Sequence, residues 1–184
     1  EGRATSEGIS VREALMDAMA DGRPILYLFG DYDYSVQPQF DFISRDQSVF
    51  GLSDGGAHVG VLCDASVPTY MLAYATRDRQ KGPQLPLEFV VHKMSQDTAQ
   101  VYGFTDRGVI AEGYKADVNI IDYDKVRLHD PEMVFDLPSG GKRLIQKADG
   151  YTATICGGVV TYENGVHTGE MPGRLIRGGQ IDAV

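Results

Sequence analysis

The spacing of apolar residues changes at Asp106-Arg107-Gly108, and this change splits the chain into two unlike parts. Before it, apolar residues come in short unbroken runs or at helical spacing. Residues 25–29 (ILYLF), bounded by Pro24 and Gly30, form a run of the first kind. They predict a strand buried on both faces, as in parallel sheets. Residues 49–52 predict a second, and a short helix after Pro38 lies between them, giving a strand, helix, strand order. After the change, residues 116–123 (ADVNIIDY), 152–155 and 159–162 alternate. Gly157-Gly158 and Asn164-Gly165 read as hairpin turns, because such turns require positive φ. The expected fold class is α/β plus β, with residues 1–105 in the first part and 106–184 in the second.

Helix signals are local and specific. Ser10-Val11-Arg12-Glu13 is a capping box, in which Ser10 and Glu13 each satisfy a backbone N–H of the other. Val11, Ala14, Leu15 and Ala18 follow at helical spacing until Gly22. Residues 67–77 (VPTYMLAYATR) predict a mostly buried helix, and residues 77–83 a polar, solvated loop. Pro86 suits a first helical position. Leu87, Val90, Val91 and Met94 form an apolar stripe, and Ser95 is placed to cap a further turn or two ending near Gly103.

The net charge of −9 argues against a nucleic-acid surface, which needs clustered Lys and Arg. No apolar run approaches the roughly 18 residues of a membrane span. The two cysteines, Cys63 and Cys156, are far apart and form no CxxC pair, which favours a reducing, cytoplasmic setting over a disulfide framework. Cys63, near an apolar helix, reads as a small buried hydrophobe.

Chemistry concentrates in residues 51–60, GLSDGGAHVG. In parallel α/β folds, ligands gather at the carboxyl ends of strands, which is where Asp54 stands. Gly55 and Gly56 permit a tight turn and close approach to a ligand. His58, four residues on, is a candidate substrate contact. An acid here is suited to taking a proton from water or to ligating a metal. From spacing alone, the plainer reading is that it caps the next turn or helix. A phosphate-cradling loop is disfavoured, since no Lys-Ser or Lys-Thr follows the glycines. Tyr27, Tyr32 and Tyr34 lie at or beyond the end of the first strand, with packing assigned to Tyr27.

SDGGAH, followed by DASVPTYML, resembles the last catalytic motif of the amidohydrolase superfamily, and of its D-aminoacylase (N-acyl-D-amino-acid deacylase) subgroup in particular. Residues 85–126 and the closing ATICGGVVTYENGVHTGEMPGRLIRG are similar to that subgroup in the same order, so the likeness runs from about residue 48 to residue 178. The resemblance implies the last strands and helices of a (β/α)8 TIM-type barrel, followed by the C-terminal part of a small β-sandwich. It also implies hydrolysis of linear amides such as N-acyl-D-amino acids, with zinc as the cofactor. Asp54 is then the general base and acid and a candidate metal ligand; Gly55, Gly56 and His58 are candidate substrate contacts, with a structural hydrogen bond in the turn as the other reading of His58.

The chain departs from that pattern in its histidines. His58, His92, His129 and His167 form no His-x-His pair, and the last three read as surface or packing residues. A complete barrel needs about 250 residues. The expectation is therefore a C-terminal portion, inactive alone, that self-associates or pairs with the segment bearing the metal ligands. Open strand edges near Phe29, Phe50 and Leu52 would drive that pairing. Two alternatives stay open: a cyclic-amide hydrolase of the hydantoinase or dihydropyrimidinase kind, and a non-catalytic α/β plus β interaction module.

Overall fold

The computed structural model describes residues 8, 10–21, 36–51, 53 and 59–176. The strand expected at 25–29, together with Tyr32, Tyr34 and Leu52, lies outside the described residues. By compactness the chain divides into residues 1–40 and 41–184.

In the first unit, α1 (Val11–Ala20) opens with the expected capping box. The Glu13 N–H donates to Ser10 Oγ at 3.1 Å, and the Ser10 N–H donates to Glu13 Oε2 at 2.9 Å. Those bonds, the backbone one foremost, hold the Glu13 carboxyl below its ordinary pKa. Helix α2 (Gln37–Ile43) begins in this unit, with Pro38 in its first turn, where a missing N–H costs nothing.

The second unit packs helices against antiparallel strands. A 3₁₀ turn (Asp64–Ser66) leads into α3 (Val67–Tyr70), which continues as a π-helical stretch (Met71–Asp78). The predicted helix is present, and Met71, Leu72, Ala73, Ala75 and Thr76 form its buried face. Helix α4 (Leu87–His92) likewise passes through a π stretch (Lys93–Asp97) into α5 (Thr98–Val101). Ser95 caps nothing; it lies inside this helix and donates to the Val91 carbonyl. Pro86 occupies the N-cap, one position earlier than expected. The helix ends at Gly103 in a Schellman motif: Phe104 N–H donates to Ala99 O and Gly103 N–H to Gln100 O.

Two expectations about burial are corrected. Residues 77–83 are not simply solvated, because Arg79 is 4% exposed. Its Nε and Nη1 donate to the carbonyls of Lys81 and Pro83, both at 2.7 Å, so the guanidinium organises its own loop from inside. In the α4 stripe, Val91 is 45% exposed, while Lys93, at 3%, takes an inner place beside fully buried Val90.

Residues 49–51 are not in a strand. A buried run forms a strand only with a pairing partner, and no described residue supplies a ladder to these three. The strands all lie further on. A four-stranded antiparallel sheet has the order β1 (Val118–Ile121), β6 (Tyr151–Cys156), β7 (Val159–Glu163), β8 (Val166–His167). Both predicted hairpin turns are present, with positive φ at Gly157, Gly158, Asn164 and Gly165. The alternation read at 116–123 breaks at a bulge between Ile120 and Ile121, so Asn119 and Ile120 are both exposed. Two-stranded ladders join β2 (Arg127–Leu128) to β5 (Ala148–Asp149) and β3 (Glu132–Leu137) to β4 (Gly141–Ile145). The observed class is mixed helix and antiparallel sheet.

Helix and sheet meet through hydroxyl pairs, Thr69 Oγ1 with Tyr151 Oη and Thr76 Oγ1 with Tyr123 Oη, each at 2.7 Å. Arg77 reaches from the π stretch to the carbonyls of Tyr123 and Val126. Fully buried Val126 anchors the turn between β1 and β2. Among the described residues, no helix is long and apolar enough to cross a membrane.

Candidate active site

Asp54, Gly55, Gly56 and His58 lie outside the described residues. Their flanks are described, and both are tied down. On the entry side, residues 45–48 form a turn in which the Ser48 N–H donates to Arg45 O at 3.1 Å. The Ser48 hydroxyl, itself buried, donates to Phe42 O at 2.7 Å. Lys93 Nζ donates to two carbonyls of this turn, Arg45 O at 2.8 Å and Ser48 O at 2.6 Å. On the exit side, Val59 O accepts from the Leu144 N–H at 2.6 Å, which fixes the chain against the outer edge of β4. Gly60 then lies against Lys142, where a Cβ would sit 3.5 Å from the Lys142 carbonyl. Six residues further on, Ser66 Oγ donates to Gln146 Oε1.

The sequence reading missed Lys93. Its signal was spacing: it stands three residues after Val90, on the same helical face, within the apolar stripe. An inward lysine at such a position has to meet acceptors, and here those are backbone carbonyls.

The remaining histidines occupy structural positions. His92 Nδ1 is 3.1 Å from Asp97 Oδ1, and His129 Nε2 is 2.9 Å from Asp149 Oδ1. His167, on β8, sits edge-on to Tyr162 and accepts from the Gly169 N–H. Cys63 is partly exposed rather than buried, and desolvation foremost pushes its thiol pKa up, which disfavours a reactive thiolate. Among the described residues, no three His, Cys, Asp or Glu side chains cluster so as to hold a metal ion.

A concavity of about 390 Å³ is bordered by residues including Arg77, Lys125, Val126, Arg127, Asp149 and Gly150. Its cations are already partnered: Arg77 by Asp78, Lys125 by Asp122 and Arg127 by Asp149, at 2.6–2.7 Å. That pairing makes it a joint between helix and sheet, with no cation free to draw an anionic substrate.

Comparison with known families adds the decisive finding. The model described as the amidohydrolase family matches residues 22–162. The matched span takes in the SDGGAH segment, both anchored flanks, the α3–α5 helices and the strands as far as β7. Neither the curated proteins nor the solved structures returned a match. With well over half of its length matched, this chain belongs to the amidohydrolase family, a family of hydrolases.

Proposed function

We propose that the chain is the part of an N-acyl-D-amino-acid deacylase-like enzyme that supplies Asp54 as the proton-transfer group for hydrolysis of linear amides. The observation that supports this most is the position of SDGGAH inside the matched span, between two flanks anchored to the π stretch after α4 and to β4. Amide hydrolysis needs a base to take a proton from the attacking water and an acid to protonate the leaving amine. A single carboxylate serves both steps in turn. Gly55 and Gly56 allow the backbone to approach the substrate, and His58 is proposed to contact it.

Zinc is the proposed cofactor. When bound, it polarises the amide carbonyl and lowers the pKa of its water. The described residues do not by themselves fit a zinc centre, and the sequence holds no His-x-His pair. The ligands would have to come largely from a partner segment, with which this chain is proposed to pair. The 184 residues alone are therefore expected to show no zinc-dependent turnover, and measurable hydrolysis on adding zinc would refute that part of the proposal.

The central test is Asp54→Asn in the active enzyme that carries this chain, assayed with N-acyl-D-amino acids. Loss of one acid–base group is expected to lower kcat about 10²–10⁴-fold with little change in KM. Undiminished kcat would remove Asp54 from the mechanism.

A further inference from the structure

The least expected group in the second unit is the ammonium of Lys93. Its side chain is 4% exposed, within a helix whose other inward residues are apolar. Burying a lysine costs several kcal/mol unless its donors are met. Here two of its three N–H groups go to Arg45 O and Ser48 O. The nearest carboxylate oxygen, Asp97 Oδ2, is 3.8 Å away, and the Phe89 ring centroid lies 5.6 Å from Nζ. The charge is thus spent mainly on two main-chain carbonyls of one turn. An apolar side chain would fill the same space without the desolvation cost, but it would leave both carbonyls without this donor.

The local helix is shaped around this group. The π stretch begins at Lys93, and the Lys93 carbonyl accepts from Thr98 Oγ1 at 2.8 Å. The widened turn brings His92 and Asp97, five residues apart, within 3.1 Å. The turn at 45–48 immediately precedes the segment leading to Asp54. Asp54 stands six positions after Ser48 and five before Val59 in the sequence. Lys93 holds the first anchor, and the Leu144 N–H holds the second.

We infer that Lys93 is a positioning residue for the Asp54 segment: its buried ammonium fixes the turn at 45–48, from which the chain runs on to SDGGAH. The inference rests on the reading of Asp54 as the functional carboxylate, but its test needs no catalysis. The test uses the intact 184-residue chain, with residue-resolved hydrogen exchange and amide chemical shifts. In Lys93→Met, which keeps the packing stem and removes the charge, the Arg45 and Ser48 amides are expected to exchange at least about tenfold faster. The resonances of Gly51, Ser53 and Asp54 are expected to move, while those of Ala99, Leu144 and Ile155 hold.

Lys93→Ala leaves room for an added cation. Ethylammonium chloride is expected to restore the protection lost in that variant and to have no effect on Lys93→Met. Unchanged exchange at Arg45 and Ser48, a turn that loosens while the Asp54 resonance stays in place, or failure of ethylammonium to rescue would each overturn the inference. Loss of protection throughout both variants would do so too, making Lys93 a general fold residue. Asp54→Asn in the same experiment is expected to leave the Arg45 and Ser48 amides protected. A catalytically silent Asp54 would therefore end the functional reading without being mistaken for failure of the clamp.

Discussion

At the scale of single residues, close approach decides more than hydrophobicity. Gly150 has φ +92°, and a Cβ there would stand 2.6 Å from Val126 N and 2.7 Å from Val126 Cα. Those are backbone atoms of a fully buried residue, so the intruding methyl has nowhere to go. Gly150→Ala combines positive-φ strain with overpacking and is expected to cost roughly 1–3 kcal/mol. A denaturation series should show a lower midpoint at unchanged slope, and an unshifted midpoint would mean that Val126 can move aside. Arg79 and Lys93 illustrate the same point with charge. Both are polar by type and buried in fact, because each has carbonyl oxygens of its own chain within reach. Residue type could not reveal that, since the acceptors of Lys93 lie 45 and 48 positions away.

At the scale of elements, what could be read in advance was local. The Ser10–Glu13 box, the Gly157-Gly158 and Asn164-Gly165 turns and the helix stop at Gly103 depend on backbone preferences within a few residues, and all are present. The β3–β4 hairpin was not read, because its turn, Pro138–Gly140 with positive φ at Ser139 and Gly140, lacks an Asn-Gly or Gly-Gly pair at its centre. The residues 49–51 carry a strand's composition without a pairing partner among the described residues, and pairing is a long-range property. For the candidate site, the motif could be picked out from its residues. Its anchoring could not, because both anchors come from distant elements.

One such long-range tie is Arg77, which links the π stretch to the turn between β1 and β2. Its guanidinium donates to the carbonyls of Tyr123 and Val126 and pairs twice with Asp78. Arg77→Met keeps much of the stem and removes the donors. Charged hydrogen bonds contribute about 1.5–3 kcal/mol, so a loss of about 2 kcal/mol is expected, together with faster exchange of the Val126 amide. Undisturbed exchange at Val126 would show that the joint is held by Thr76 and Tyr123 instead.

At the scale of the whole molecule, the paired carboxylates set the response to acid. The folded pKa values of Asp78, Asp106, Asp122 and Asp136 are lowered, chiefly by side-chain hydrogen bonds from Arg77, Arg107, Lys125 and Arg143 respectively. Asp149 is lowered first by His129 and then by Arg127. As pH falls, the unfolded chain takes up protons at these positions before the folded one does. Their contribution is therefore full above the ordinary carboxylate range and is lost as pH drops from about 5 through the lowered values. The alkaline side has a different cause. Burial foremost, with Tyr74 adding to it, raises the pKa of Tyr70, and burial likewise raises that of Cys63. The folded form resists losing those protons, so stability declines as pH climbs past about 8.5–10, where the unfolded groups ionise. The expected profile is a plateau with two limbs, read as denaturation midpoint against pH. Salt separates the limbs: the acid pairs are largely exposed, so 1 M NaCl should weaken the pH dependence below 5. Desolvation is not screened, so the alkaline limb should keep its slope, and an acid limb equally indifferent to salt would show that these ion pairs do not govern the acid response.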